Sequence, residues 1–467
     1  MFVEEEFTIE SLDKKGFGVA KLKNKIVLIE RTLPGDTVKA TLPKKRRRKI
    51  VKAQLSEIIS QKIKRIKPKC FYFSSCGGCK WQDISYENQL KLKKDKIVSS
   101  FTKLNLLGDI TIPDIIPAPT EYFYRNKMEF SFSHRRWITP EEIEKDEKYN
   151  KQFALGLHTP HTHDKIIDLK TCYLQTPLTE KLVNFVRTFC LENKLEPYHI
   201  YDDVGYLKFL VIKETSQTNQ ILINLVTKEF NSEVIQKLGE KLKEEFPQIT
   251  SFFNTINSGT GQVAIGNETH LIFGEQVIVE KLLGMNFEIS PFSFFQPNTL
   301  AAENVYKCII DLAKFTGSEA VLDLYSGVGS ISLSIAKNVK QVIGFELSEE
   351  AVSAANRNKE INNINNCEFY AGDLKDAVEA SSSFDQKIDL IIVDPPRSGL
   401  HPKVIKKLIE MKAPTIIYVS CNPLTQAEDL NELCTNGPYK IEVIQPIDML
   451  PQTLHIENVV KLSLKND

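Results

Sequence analysis

The stretch DLYSGVGS, residues 323–330, decides the fold of the C-terminal part of the chain. It begins inside the apolar segment 320–325 and places Gly327 and Gly329 where a strand would turn into a helix. Glycines at such a turn let the backbone approach a ligand closely. The position of a third glycine in the dinucleotide fingerprint holds Ser332, which argues against NAD or FAD. The stretch therefore predicts a ligand-binding turn after the first strand of a parallel sheet.

Apolar segments alternate with helical patterns from about residue 320 onward, which is the signature of βαβ units. The predicted strands are 320–325, 341–346, 367–371, 387–394, 414–420, 439–446 and 455–463. This pattern predicts an α/β fold with a Rossmann-like sheet over residues 291–467. Ligands bind beyond the carboxyl ends of the strands in such sheets. Four of those ends carry Glu346, Asp373, Asp394 and Cys421.

The acidic strand ends suggest which ligand binds. Glu346 lies 19 residues after Gly327, a distance that suits a carboxylate gripping ribose hydroxyls, and Asp373 could accept a hydrogen bond from adenine. The combination resembles the nucleoside site of class I S-adenosylmethionine-dependent methyltransferases. An alternative is that these acids cap helices, as Asp373 could well do.

Charge is distributed unevenly along the 467 residues, a length that suggests two to four domains. The chain is neutral overall, yet residues 1–100 hold 24 basic and 11 acidic side chains. The excess is concentrated in KKRRRK (44–49), KIKRIKPK (62–69) and KLKKDK (91–96). Such clusters favour a polyanion partner, above all RNA, although basic runs can also be solvated surface.

Two domains are predicted before the C-terminal sheet. Five β-segments within residues 1–62 fit a small OB-like barrel, and they resemble a TRAM domain, an RNA-binding barrel. Residues 63–290 mix helices with strands at 128–133, 207–215 and 219–227, which predicts a central α+β domain with an RNA-binding surface. No apolar run is long enough to cross a bilayer, and the first ten residues are acidic where a signal peptide would be basic. We therefore expect a cytoplasmic protein without membrane association, and no obligate protein partner is evident.

Cys421 ends the apolar run IIYVS and is followed by Asn422 and Pro423. Proline suits the first turn of a helix, so the thiol is expected at a helix N-terminus, where the macrodipole favours the thiolate. Free cysteines are more often inert core residues. The location at a strand tip beside the predicted donor site nevertheless favours a nucleophile.

Several motifs together resemble the RNA uridine-5-methyltransferase family, and especially its 23S ribosomal RNA branch. They are FSFFQPNT (292–299), DLYSGVG, DPPRSGL, SCNP and HIENV (455–459). The resemblance implies that Cys421 adds to C6 of uridine and that Glu457 is the base that removes the C5 proton. It also implies that S-adenosylmethionine is bound by Gln296, Tyr325, Ser330, Glu346, Asp373 and Asp394.

Four further cysteines form a candidate metal set, namely Cys70, Cys76, Cys79 and Cys172. Their spacing permits zinc and equally permits a [4Fe–4S] cluster. The family resemblance favours the cluster, because the 23S branch carries this pattern.

Three other functions are alternatives to 23S rRNA methylation. A tRNA uridine-5-methyltransferase is a rival, although such relatives generally lack the barrel and the cysteine set. A non-catalytic RNA-binding assembly factor would have no need of Cys421 and Glu457. A nucleotide-dependent redox enzyme is disfavoured by the missing third glycine.

Overall fold

A computed structural model describes residues 2–44, 48–144, 150–160, 162, 164–372 and 387–465. Asp373 and the central part of the basic run 44–49 lie outside the described residues. None of the helices formed by the described residues is long and apolar enough to cross a membrane.

The N-terminal strands form a six-stranded sheet in the order β1-β5-β6-β4-β3-β2. They are β1 (Phe2–Thr8), β2 (Ser11–Leu12), β3 (Gly18–Leu22), β4 (Lys25–Ile29), β5 (Thr37–Pro43) and β6 (Ile50–Ser60). The long β6 pairs with both β4 and β5, which joins the two halves of the sheet. The OB-like barrel is confirmed, and it has six strands where five β-segments were predicted, because β1 and β2 are separate strands. The chain changes partner between residues 9 and 10: the Ile9 N–H still donates to the Asp36 carbonyl beside β5, whereas the Glu10 N–H donates to the Val19 carbonyl in β3.

The central strands form an eight-stranded mixed sheet in the order β14-β13-β12-β11-β7-β9-β10-β8. They are β7 (Lys127–Ser133), β8 (Arg136–Trp137), β9 (Ala154–His158), β10 (Ile166–Asp168), β11 (Leu207–Glu214), β12 (Ile221–Thr227), β13 (Ser251–Ile256) and β14 (Glu268–Gly274). The hairpin predicted at 207–227 is confirmed as the antiparallel pair β11–β12. Helices in this part of the chain are α1 (Tyr86–Thr102), α2 (Pro140–Glu144), α3 (Pro177–Glu192) and α4 (Ser232–Glu245). A separate hairpin of β15 (Ile278–Leu282) and β16 (Met285–Ile289) follows.

The C-terminal sheet has seven strands in the order β19-β18-β17-β20-β21-β23-β22. Its elements are α5 (Thr299–Ala313), β17 (Ala320–Leu324), α6 (Ser330–Ile335), β18 (Gln341–Glu346), α7 (Glu349–Ile361), β19 (Cys367–Ala371), β20 (Leu390–Val393), α8 (Pro402–Met411), β21 (Thr415–Ser420), α9 (Pro423–Asn431), β22 (Tyr439–Ile447) and β23 (Glu457–Leu464). All seven predicted strands and the α/β fold are confirmed. The pairings from β19 to β21 are parallel, whereas β23 runs antiparallel to β21. The strand order reverses beside β17 and β20, and the crevice for a ligand opens at such a point.

Helix α1 packs against the C-terminal sheet, although the sequence division places it in the central domain. Ile97 and Phe101 are fully buried in the core on one face of that sheet. Farther along the chain, Ile116 forms a parallel bridge to Ile447 at the end of the edge strand β22. Residues 86–118 are therefore part of the C-terminal core.

A buried ion pair fastens α1 to the loop that leads into β23. Lys93 Nζ lies 2.7 Å from Asp448 Oδ1, and both side chains are fully buried. The Tyr86 hydroxyl donates to the other carboxylate oxygen over 3.0 Å, and Lys93 also donates to the Leu450 carbonyl. Because the carboxylate is hydrogen-bonded on both oxygens, the pair holds this loop in one arrangement.

Lys93→Met should destabilise the protein strongly, because it leaves a buried carboxylate without its cation. Removing one partner of a buried pair typically costs about 3–5 kcal/mol. Denaturant unfolding measures the change. Lys91→Met is the matched control, since Lys91 forms only an exposed pair with Glu87 on the same helix and should leave the unfolding midpoint nearly unchanged. Equal effects of the two substitutions would contradict the role given to the buried pair.

Candidate active site

The turn after β17 forms an open cradle at the point where the strand order reverses. Tyr325, Gly327 and Gly329 have φ angles of +67°, +55° and +79°, in the left-handed region that favours glycine. A Cβ at Gly329 would lie 2.8 Å from the Phe369 ring, so no larger residue fits there. At Gly327, by contrast, a Cβ would meet no described atom within 4 Å, so the backbone faces open space. A ligand can approach this turn closely, as the sequence predicts.

Acidic side chains surround the cradle. Glu346 lies at the end of β18 and accepts hydrogen bonds from the Gly327 and Ser348 N–H groups over 3.1 and 3.0 Å, which fixes its carboxylate at the turn. Asp323 is fully buried in β17, and its Oδ2 accepts a hydrogen bond of 2.5 Å from Ser332. Its Oδ1 has no hydrogen-bond partner among the described residues. Burial raises the pKa of both Asp323 and Asp394 to about 7.

A buried tyrosine joins two of the predicted donor-site residues. The Tyr306 hydroxyl lies 2.9 Å from Ser330 Oγ, and it is also hydrogen-bonded to the Gln296 side chain. Burial raises the pKa of Tyr306 well above its ordinary value, so the hydroxyl is neutral. The structure therefore brings together Gln296, Tyr325, Ser330, Glu346 and Asp394 around one crevice, whereas Asp373 lies outside the described residues.

The catalytic candidates Cys421 and Glu457 are brought together by the pairing of β21 with β23. Ser420, the last residue of β21, is the register partner of Asn458, so the residue after one strand lies beside the first residue of the other. Asn422 caps α9 through its side chain, and Pro423 takes the first helical position. Because β23 runs antiparallel to β21, it begins near Cys421.

The electrostatics at Cys421 differ from the prediction. Burial, followed by the neighbouring Glu457 carboxylate, raises the pKa of the thiol to about 11. Desolvation and two carboxylates thus act against the thiolate that the helix N-terminus is predicted to favour. Burial and the proximity of Asp394 likewise raise the pKa of Glu457 to about 8. The two side chains thus form a coupled, largely protonated pair at neutral pH.

The positive charge of Arg397 opposes the rise in the pKa of Cys421. Arg397, from the DPPR stretch after β20, hydrogen-bonds the Cys421 thiol and lowers its pKa against the effect of burial. Its backbone carbonyl accepts a hydrogen bond of 3.0 Å from the Asn422 side chain, which ties the DPPR turn to the cap of α9. Arg397 Nη2 also lies 3.4 Å from His455 Nε2. Burial and the surrounding cations lower the pKa of His455 to about 4, so this histidine is neutral.

Three residues at this site were missed by sequence reasoning, namely Tyr306, Asp323 and Arg397. The DPPR motif carried a signal for Arg397, because a basic residue directly follows the strand-end turn. Asp323 lies inside an apolar strand, where a carboxylate is unusual without a functional reason. Tyr306 gave no signal, because it sits on an ordinary amphipathic helix.

The four cysteines of the candidate metal set lie close to one another. Each of Cys70, Cys76 and Cys79 experiences the charge of Cys172, and burial raises the pKa of Cys76 and Cys79 to about 12. Two sulfurs accept hydrogen bonds, from Gly78 N–H at 3.4 Å and from the Gln82 side chain at 3.2 Å. As placed in the described part of the chain, no group of three or more His, Cys, Asp or Glu side chains could hold a metal ion.

Comparison with known proteins agrees with this architecture. The tRNA (Uracil-5-)-methyltransferase family matches residues 85–465, and the TRAM domain matches residues 4–55. Proteins from Bacteroides thetaiotaomicron, Chlorobaculum tepidum and Clostridium tetani, each described as an uncharacterized RNA methyltransferase, are 36%, 38% and 37% identical to this chain. The matches cover 97%, 91% and 99% of this chain and 99%, 89% and 98% of the respective relatives.

A solved structure shows the same fold across the chain. It is Pyrococcus abyssi tRNA (uracil-54, C5)-methyltransferase in complex with S-adenosyl-L-homocysteine, which superposes with a TM-score of 0.74 and is 28% identical in sequence. The match covers 98% of this chain and 100% of the solved one. The chain therefore belongs to the tRNA (Uracil-5-)-methyltransferase family of S-adenosylmethionine-dependent RNA methyltransferases, and it carries an N-terminal TRAM domain.

Proposed function

We propose that this protein methylates C5 of a uridine in 23S rRNA through a covalent bond between Cys421 and C6 of the base. The observation that carries the proposal is the pairing of β21 with β23, which sets Cys421 beside Glu457. Asp394, from the donor side of the crevice, is close enough to raise the pKa of both. Nucleophile, base and donor pocket thus meet at one sheet edge.

The proposed reaction has three steps. The Cys421 thiol first gives its proton to solvent water. The thiolate then adds to C6, and the electron pair of the C5–C6 double bond moves into an enolate. C5 then takes the methyl group from the sulfonium donor, which leaves as S-adenosylhomocysteine. Glu457 accepts the proton from C5, the double bond re-forms, and the Cys421 sulfur departs. Arg397 favours the first step, since its charge stabilises the thiolate.

The carboxyl groups of the proposed donor pocket suit the positively charged sulfonium of S-adenosylmethionine. We propose that Gln296, Tyr325, Ser330, Glu346, Asp373 and Asp394 bind S-adenosylmethionine. The open backbone at Gly327 and the carboxylate of Glu346 fixed beside it suit a ribose. The buried carboxyl groups of Asp323 and Asp394 repel one another when both are ionised. A positively charged sulfonium nearby would relieve that repulsion, so the pocket favours the charged donor over its neutral product.

We further propose a [4Fe–4S] cluster held by Cys70, Cys76, Cys79 and Cys172. The mutual electrostatic coupling of these thiols and the hydrogen bonds to two of the sulfurs support it. Four protein ligands leave no iron open to a substrate. The group would therefore act as a clasp between segments about a hundred residues apart in the sequence.

The choice of 23S rRNA over tRNA rests on the resemblance of the motifs and of the four cysteines to the 23S branch. The barrel does not decide between the two substrates, because the solved tRNA methyltransferase matches 98% of this chain and therefore spans the barrel as well. tRNA is therefore the alternative substrate, since the solved structure that matches this chain is of a tRNA methyltransferase. We propose a barrel at 1–62, a central domain at 63–290 and a catalytic domain at 291–467, with residues 86–118 of the central range packed into the core of the catalytic domain. The basic side chains of the first hundred residues would then bind RNA backbone.

RNA containing 5-fluorouridine should trap the wild-type protein as a covalent complex, because fluorine cannot leave C5 as a proton does. A 23S rRNA transcript should be trapped and a tRNA transcript should not, as judged by a shifted band on a denaturing gel. Cys421→Ala should abolish trapping, whereas Cys434→Ala, at another partly exposed thiol, should not. Equal trapping by Cys421→Ala would refute the nucleophile, and no trapping by any RNA would favour a non-catalytic assembly factor.

Release of methylated RNA should accelerate as the pH rises, because Glu457 must be deprotonated to accept the C5 proton. With its pKa at about 8, the ionised fraction grows about tenfold between pH 7 and pH 9. Single-turnover kinetics with rapid quenching measure this step. Glu457→Gln should be slow at every pH. A wild-type rate that falls as the pH rises would remove Glu457 from the role of base.

Anaerobically purified protein should be brown and contain iron and sulfide in equal amounts. Cys172→Ala should bleach it, because this ligand comes from a distant segment and closes the site. Cys190→Ala is the control, since that thiol is buried in the hydrophobic core of the central sheet. A colourless wild-type protein with stoichiometric zinc would overturn the cluster.

A further inference from the structure

The loop that delivers Gln296 to the donor pocket is held by a buried lysine from another sheet. The loop spans residues 290–298, between β16 and α5. Lys213, near the end of β11, is only 3% exposed. Its Nζ donates to the carbonyl oxygens of Ser290 and Ser293 over 2.7 and 2.9 Å. A side chain of the central sheet thus binds the first half of this loop directly.

The surroundings of Lys213 show that the amine serves as a hydrogen-bond donor. Within the described ranges, no carboxylate lies at ion-pair distance from its Nζ, which is unusual for a buried lysine. Burial, with Lys127 nearby, lowers its pKa to about 7. Both the neutral amine and the ammonium carry at least two N–H groups. The two carbonyl oxygens therefore keep their partners in either protonation state.

A second contact from the same sheet holds the other half of the loop. The Asn126 side chain donates to the Gln296 carbonyl and to Thr299 Oγ1, each over 2.8 Å. Its backbone N–H donates to the Pro297 carbonyl over 3.1 Å. The Asn126 carbonyl in turn accepts a hydrogen bond from Glu214, the residue after Lys213. Lys213 and Asn126 therefore act from one rigid corner of the central sheet.

The position of Gln296 depends on the first half of the loop, residues 290–293. Ser290 and Ser293 bond each other through side chains and backbone, which closes a tight turn between the two carbonyls that Lys213 holds. Phe295 is buried and its ring centroid lies 5.7 Å from that of Phe287. Gln296 follows at once and bonds Tyr306. A displacement at Ser293 would accordingly move the Gln296 side chain.

We propose that Lys213 is a positioning residue for the methyl-donor pocket, acting through the loop that presents Gln296. The inference rests on the proposed donor site. It assigns to the central sheet a part in donor binding in addition to any contact with RNA.

The chain offers a matched control on the same strand. Lys208 is also buried in β11, with 4% exposure, and it donates to Asn257 Oδ1 over 3.1 Å and lies over the Tyr198 ring. It therefore makes comparable bonds, but they lie at the opposite end of the strand from the loop. Lys213→Met and Lys208→Met should both lower the melting temperature.

The test is calorimetric binding of S-adenosylhomocysteine to the full-length protein. Loss of two hydrogen bonds at the loop should raise the dissociation constant of Lys213→Met about tenfold, while Lys208→Met stays within about twofold of wild type. Asn126→Ala should also raise the dissociation constant. It is the variant to measure if Lys213→Met fails to fold. Unchanged affinity in Lys213→Met and Asn126→Ala, or equal weakening in Lys208→Met, would overturn the proposal. Because the measurement needs neither RNA nor Cys421, its failure is distinct from failure of the covalent mechanism.

Discussion

The antiparallel pairing of β23 with β21 is the constraint on which the rest of the site depends. In a purely parallel sheet the start of the last strand would lie at the far edge from the end of the fifth. Here the reversed strand brings its first residue, Glu457, to the end of β21, where Cys421 begins the turn into α9. The register is fixed by buried pairs such as Tyr418 with Val460, because a slip by one residue would turn every side chain to the other face. The loop before β23 is held in turn by the buried Lys93–Asp448 pair.

Burial determines the protonation states of the acidic groups and the thiol at this site. Asp323, Asp394, Glu457 and Cys421 are all held toward their protonated forms by desolvation and by one another. Arg397 is the cation that hydrogen-bonds the thiol. In the proposed reaction the arrival of a sulfonium donor and of RNA changes this balance, so that the thiol becomes reactive only in the assembled complex. A thiol that is protonated at neutral pH is also protected from side reactions.

Much of this architecture could be predicted from sequence, because apolar alternation and strand-end acids leave clear local signals. The seven strands of the C-terminal sheet, the barrel and the helix start at Pro423 all follow from such signals. Contacts between distant segments could not be predicted: Lys93 meets Asp448, Lys213 meets Ser290, and Tyr306 meets Ser330 only once the sheets are assembled. The protonation of Cys421 was missed for the same reason, since the helix start is visible in the sequence and the burial of its thiol is not.

The most direct test is mass spectrometry of Glu457→Gln after one turnover with RNA and S-adenosylmethionine. We expect a peptide in which Cys421 carries a methylated uridine, because the variant forms the adduct and cannot remove the C5 proton. Free 5-methyluridine in the RNA together with an unmodified Cys421 would contradict the account.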